Sequence, residues 1–167
     1  MYFRPIYTLA LICTLIISAV ALGMVFNNAI QNVQNIDPNT PMPSFSDMVD
    51  GGTVIMGIYM ILGTSISSLF VYIIAMFLLA ISDAEMTMIF SALAGIILTI
   101  LNLVMFAGSM IILIYTNRVH SNNDAIFSIS PPTIITLYIA GVIGFLVSFG
   151  FLATMLYGIM GGKLKSL

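Results

Sequence analysis

The stretch MTMIFSALAGIILTILNLVMFAGSMIILIY, residues 86–115, runs for thirty positions without an Asp, Glu, Lys, Arg or His. A bilayer's hydrocarbon core is about 30 Å thick and is crossed by about 20 apolar residues in helical form. This stretch is therefore long enough to cross with residues to spare. Three more runs of the same character lie at 6–26, 53–81 and 133–160. Backbone N–H and C=O groups find no partners in lipid, so each run is expected to be a helix that satisfies its own backbone. The fold expected is an all-α integral membrane four-helix bundle, left-handed with up-down topology, forming one domain over residues 1–167. The longer runs exceed the hydrocarbon thickness at about 1.5 Å per residue and are expected to tilt or project into the interface.

Composition agrees. Of 167 residues, 60% are hydrophobic and 6% charged, with a mean hydropathy of +1.17; a soluble domain carries about 25% charged residues. The ten charges are Arg4, Arg118, Lys163, Lys165, Asp37, Asp47, Asp50, Asp83, Glu85 and Asp124, and all fall outside the apolar runs. No basic patch exists to hold a nucleic acid. The first run, with Arg4 before it and Ala19, Val20 and Ala21 within it, imitates a secretory signal, but its apolar length exceeds the usual 7 to 15 residues. It is read as a true span.

Four spans place both termini on one side, which gathers Arg4, Lys163 and Lys165 there against Arg118 on the other. Positive charge favours the cytoplasmic face, so both termini are expected in the cytoplasm, at the plasma membrane or an endomembrane. Residues 27–52 then form a larger outer loop and 117–132 a smaller one, with a tight inner turn at Ser82, Asp83, Ala84 and Glu85. The start of the first loop keeps some helical spacing and is a candidate extension of the first helix. Its remainder, with Pro38, Pro41, Pro43, Gly51 and Gly52, reads as turn-rich loop. Asp37, Asp47 and Asp50 lack the spacing of a calcium loop and its terminal Glu. His120, the single histidine, has no companions at metal-ligand spacing. Cys13, the single cysteine, is read as a small packing residue. No metal or cofactor is expected.

An ionisable residue inside a span is a functional hypothesis by default, since pumps and proton relays need one. None of these spans holds one. What the spans do hold is small and weakly polar residues at heptad steps. Gly57, Thr64, Ser68, Ala75 and Ser82 step by 7, 4, 7 and 7 in the second span. Ser91, Gly95, Asn102, Phe106 and Ser109 step by 4, 7, 4 and 3 in the third, and Gly141, Gly144, Ser148, Phe151, Met155 and Gly158 by 3, 4, 3, 4 and 3 in the fourth. Membrane helices associate through close backbone approach at small residues and through occasional side-chain hydrogen bonds. These stripes are the expected packing seams. An unpaired amide in hydrocarbon costs several kcal/mol, so Asn102 is expected to bond across the bundle to Thr64, Ser68 or Ser148. Ser65, Ser67, Ala107, Gly108, Ala140 and Gly150 fall off the seams and are read as a second face for lateral contact.

Short inner termini, a longer first outer loop, a four-residue inner turn and a shorter second outer loop resemble the plan of the MARVEL and claudin-like tetraspan groups. The opening Phe3, Arg4, Pro5 and Ile6, with an arginine entering a small-residue-rich helix, resembles a MARVEL start. Claudins carry a Trp and paired cysteines in the first outer loop; this chain has no Trp and no loop cysteine. The seams, the uncharged spans and the small loops together are read as a non-enzymatic organiser acting by lateral association, in a lipid-associated domain of the bilayer as the MARVEL resemblance implies, with a membrane-protein partner or another copy, or as an accessory subunit of a larger complex. The alternative is a small channel whose polar path runs along Thr64, Ser65, Ser67, Ser68 and Asn102. Catalysis would need a nucleophile with a base or a metal cluster, and the spans offer hydroxyls without a base.

Overall fold

The computed structural model describes residues 5–35, 45–81, 83–121 and 129–164. They form four helices: α1 (Pro5–Gln34), α2 (Phe45–Ile81), α3 (Ala84–Ser121) and α4 (Pro131–Leu164). All four are long and apolar enough to cross a membrane. Each packs against its neighbour in chain order and α4 returns beside α1, which closes the bundle. The α2–α3 pair shares the largest contact.

The helices outrun the apolar runs at their loop ends. α1 continues to Gln34, as the helical spacing after Phe26 suggests. α2 begins at Phe45 and α3 ends at Ser121, both inside segments expected to be loop. These are corrections, and each has a local cause. Asp50 lies in the second turn of α2, toward the positive end of the helix dipole. The pair Gly51 and Gly52 costs about 1 kcal/mol each in helix propensity, yet neither adopts a positive φ, and the helix runs through them. In α3 the Arg118 guanidinium lies over the Tyr115 ring, 5.0 Å from its centroid, one turn back on the same helix.

Helix starts follow ordinary capping chemistry. Proline is the first residue of α1 and of α4, where its missing N–H has no intrahelical partner to lose. Before α4, the Ser130 carbonyl accepts from the Ile134 N–H at 3.1 Å. Before α3, the Asp83 carbonyl accepts from both the N–H and the hydroxyl of Thr87, at 2.9 and 2.8 Å.

Leu11, Ala21, Val54, Ile58, Ile61, Met105, Ile112, Leu137 and Ala140 make the enclosed core. Around it the surface is apolar, with Leu9, Ile16, Phe70, Ile73, Phe77, Ile96, Leu146 and Phe149 all exposed. Cys13 belongs to this outer surface. The expectation that it packs inside is corrected, because the buried positions beside it are Leu11 and Thr14 and the helix turns Cys13 away.

The four helices are staggered. Tyr7, the third residue of α1, lies against Asn102 and Phe151. Asn102 is 18 positions along α3 from Ala84, a rise of about 27 Å. Phe151 is 13 positions before Leu164, about 20 Å. At the end where α2 turns into α3, the other three helices therefore reach well beyond the first turn of α1. α1 is also the least enclosed, with 22% of its membrane-length window buried against 33%, 33% and 39% for the others.

Candidate functional site: a glycine-packed bundle with a buried polar layer

The seam residues of α2, α3 and α4 are placed inward. Gly57, Thr64, Ser68 and Ala75 are buried on α2; Gly95, Asn102 and Ser109 on α3; Gly141, Gly144 and Ser148 on α4. Ser91, Phe106, Phe151 and Met155 are half-buried. Ser82 and the surroundings of Gly158 lie outside the described residues.

Two of the closest approaches are made at glycine. A Cβ added to Gly57 would stand 2.9 Å from Ile112 Cγ1 and 3.0 Å from the Gly108 carbonyl oxygen. A Cβ on Gly108 would stand 2.8 Å from Met60 Cβ and 2.9 Å from the Gly57 carbonyl oxygen. α2 and α3 thus touch backbone to backbone at a reciprocal glycine pair. The seam accounts for one half of that pair only. Gly108 belongs to this contact and not to an outward face, and Ser65 and Ala140 are likewise buried. A helix in a closed bundle meets two neighbours, so its inward stripe is wider than a single heptad seam. Gly108 serves α2 while Ser109, the next residue, serves α4. Ser67, Ala107 and Gly150 do face outward.

On the α3–α4 side a Cβ at Gly144 would stand 2.5 Å from Ser109 Oγ, and one at Gly141 would stand 3.0 Å from Leu113. Gly144→Ala is expected to lower stability by about 1–2 kcal/mol through overpacking. Removing the hydroxyl it strikes, in the double variant Gly144→Ala/Ser109→Ala, should restore most of the loss. Unfolding by SDS titration followed by circular dichroism measures both.

Most buried hydroxyls bond to their own helix. Thr14 donates to the Ala10 carbonyl at 2.7 Å, Ser18 to Thr14 at 2.5 Å, Thr64 to Met60 at 2.6 Å, Ser109 to Met105 at 2.8 Å and Ser148 to Gly144 at 2.7 Å. This leaves Thr64 and Ser148 occupied, and Asn102 does not bond to them. Its carboxamide Nδ2 donates to the Tyr7 hydroxyl at 2.7 Å and to the Leu98 carbonyl at 2.8 Å. The expected partner is corrected to Tyr7, across the diagonal of the bundle. The Ser68 hydroxyl lies by the same phenol without completing a hydrogen bond. The Tyr7 ring is held between Phe151 and Tyr72, with centroids 5.1 and 6.4 Å away.

Tyr7 and Asn28 are the residues that reading the sequence missed. The signal was present: Tyr7, Leu11, Thr14, Ser18, Ala21, Val25 and Asn28 step by 4, 3, 4, 3, 4 and 3 along the first span. All seven are buried or half-buried. The two polar ends of this seam fasten α1. At the far end from Tyr7, Asn28 Nδ2 donates to Thr133 Oγ1 at 2.7 Å and to Ser130 Oγ at 3.2 Å. Asn28→Ala removes both bonds, and stability is expected to fall by about 1 kcal/mol. Hydrogen–deuterium exchange should show the loss as faster exchange at the end of α1, leaving the Gly57–Gly108 region unchanged.

Among the described residues, four buried side-chain polar atoms have no partner: Asn102 Oδ1, Ser65 Oγ, Ser68 Oγ and Thr116 Oγ1. Their residues are almost wholly enclosed. In this conformation they line no water-filled path, and Ser67, the other hydroxyl of the expected polar path, points outward.

The fold and this interior define a multi-pass membrane protein built as an all-α bundle. No family model, curated protein or solved structure matches the chain.

Proposed function

We propose that this chain is a non-enzymatic membrane protein that works by lateral association, either organising surrounding lipid, as the MARVEL-like plan suggests, or serving as accessory subunit of a larger membrane complex. One observation carries the reading. The polar side chains Thr14, Ser18, Thr64, Ser65, Ser68, Asn102, Ser109, Thr116, Thr133 and Ser148 are buried, while large apolar side chains dominate the outward faces of all four helices over a membrane-crossing length. Helix surfaces are what such a molecule offers to others. Small residues punctuate them: Gly63 and Gly150 have nothing within 4 Å of an added Cβ, and Ser67 and Ala107 are exposed. Such positions let another helix approach closely. Arg4, Lys163 and Lys165 against Arg118 favour cytoplasmic termini.

The test is purification from the native membrane in a gentle detergent, with native mass and the identity of bound molecules determined together. A stoichiometric protein companion or a defined set of retained lipids is the expected result. A bare particle that conducts ions in reconstituted bilayers would replace this reading with a pore.

A further inference from the structure

The Tyr7 phenol rests on a patch with more hydrogen-bonding capacity than it uses. It takes one N–H of the Asn102 carboxamide. Left over are Asn102 Oδ1, Ser65 Oγ and Ser68 Oγ, each buried and without a partner. The three belong together. Ser68 lies by the phenol; Ser65 is one turn before it on α2 and, in the antiparallel register in which Gly57 and Met60 meet Gly108, falls level with Asn102 on α3. Groups left unpaired in a low-dielectric interior are costly, and a native layer that tolerates three has a use for them.

The element covering the phenol's side of the patch is also the least enclosed. α2, α3 and α4 are joined at Gly57, Gly108, Gly141 and Gly144, where backbones and side chains meet at close range. α1 buries the least of its length, and Tyr7 sits in its first turn, beyond which the other helices continue. Moving that turn outward uncovers the patch toward the membrane without disturbing the glycine contacts.

We propose that Ser65, Ser68 and Asn102 form an intramembrane recognition site for a carboxamide side chain on a partner's transmembrane helix, and that Tyr7 occupies this site until the partner arrives. The chemistry selects the occupant. Asn102 Oδ1 requires a donor, and the serine hydroxyls supply donors for an acceptor. An Asn or Gln side chain offers both and carries no charge into the hydrocarbon. This inference rests on the lateral-association reading and names how one partner would be recognised.

The test uses the full-length chain in phosphatidylcholine vesicles, donor-labelled at its C-terminus. It is titrated with acceptor-labelled polyleucine helices carrying a central Asn, a central Ser or neither, and energy transfer reports binding. Tyr7→Ala should bind the Asn helix about fivefold or more tightly than the wild-type chain does, the range expected of interhelical polar contacts. The plain helix should be unaffected. Asn102→Val in the Tyr7→Ala background should erase the preference. Tyr7→Phe retains the ring packing and should shift binding in the same direction by less, so it carries the test if Tyr7→Ala does not fold. Equal binding of Asn and plain helices overturns the proposal, as does a preference that survives Asn102→Val. A Ser helix that outcompetes the Asn helix overturns the assignment to a carboxamide. If these outcomes fail while the native protein still retains its companion, the recognition site falls and lateral association stands. Loss of every companion from the native protein removes both.

Discussion

Gly108→Ala is expected to destabilise the bundle by about 2 kcal/mol, whereas Gly63→Ala and Gly150→Ala should leave it unchanged or slightly more stable. The three substitutions add the same methyl group. Two effects of opposite sign compete at each position. Alanine restricts the unfolded chain and has better helix propensity than glycine, by about 1 kcal/mol in water. Against this stands the space the methyl must find. At Gly63 and Gly150 nothing lies within 4 Å, so propensity decides. At Gly108 the obstacles are Met60 Cβ at 2.8 Å and the Gly57 carbonyl oxygen at 2.9 Å. Neither is the far end of a flexible side chain, so relief requires α2 and α3 to separate. Separation at that point loosens the largest helix pair, and the many small dispersion contacts beside it weaken together. SDS-titrated unfolding of the three variants in one detergent gives the comparison directly. A Gly108→Ala protein as stable as Gly63→Ala would mean that the reciprocal glycine contact is not what joins α2 to α3.

Gly108 also marks where reading the sequence stops. Four helices, their order and their approximate spans were legible, because lipid leaves the backbone few alternatives and unbroken apolar runs are unambiguous. The inward stripes of α2 to α4 were legible from heptad steps at small residues. Missed were the width of those stripes, which put Gly108, Ser65 and Ala140 on the wrong side, and the seam of α1. Tyr7 was overlooked because its depth in the bundle depends on stagger. Stagger comes from how four helices slide along one another, and each apolar run is compatible with many such offsets. The partner of Asn102 was misassigned for the same reason. Thr64 and Ser148 were plausible until their hydroxyls were seen bonded to their own helices.

The pair Tyr7 and Asn102 yields the second large effect, as a difference between single and double substitutions. Tyr7→Phe leaves one carboxamide N–H without its partner, beside an oxygen already unpaired. Stability should fall by about 1 kcal/mol, within the range measured for hydrogen bonds between membrane helices. Asn102→Leu strands the phenol instead, and a comparable loss is expected. The double variant Tyr7→Phe/Asn102→Leu removes both partners and buries a side chain of similar volume in place of the amide. It also eliminates the unsatisfied Oδ1. Replacing both members of a buried polar pair by apolar groups of like shape is close to neutral or stabilising, so the double variant should match or exceed the wild-type chain, with a coupling energy of about 2 kcal/mol or more. The sign of that result separates two roles for the polar layer. If the double variant is markedly less stable than either single one, the layer holds the fold together, and its unpaired oxygens are a by-product of packing. If it is at least as stable as wild type, the bundle folds as well without an amide at its centre, and stability does not explain why Asn102 is there.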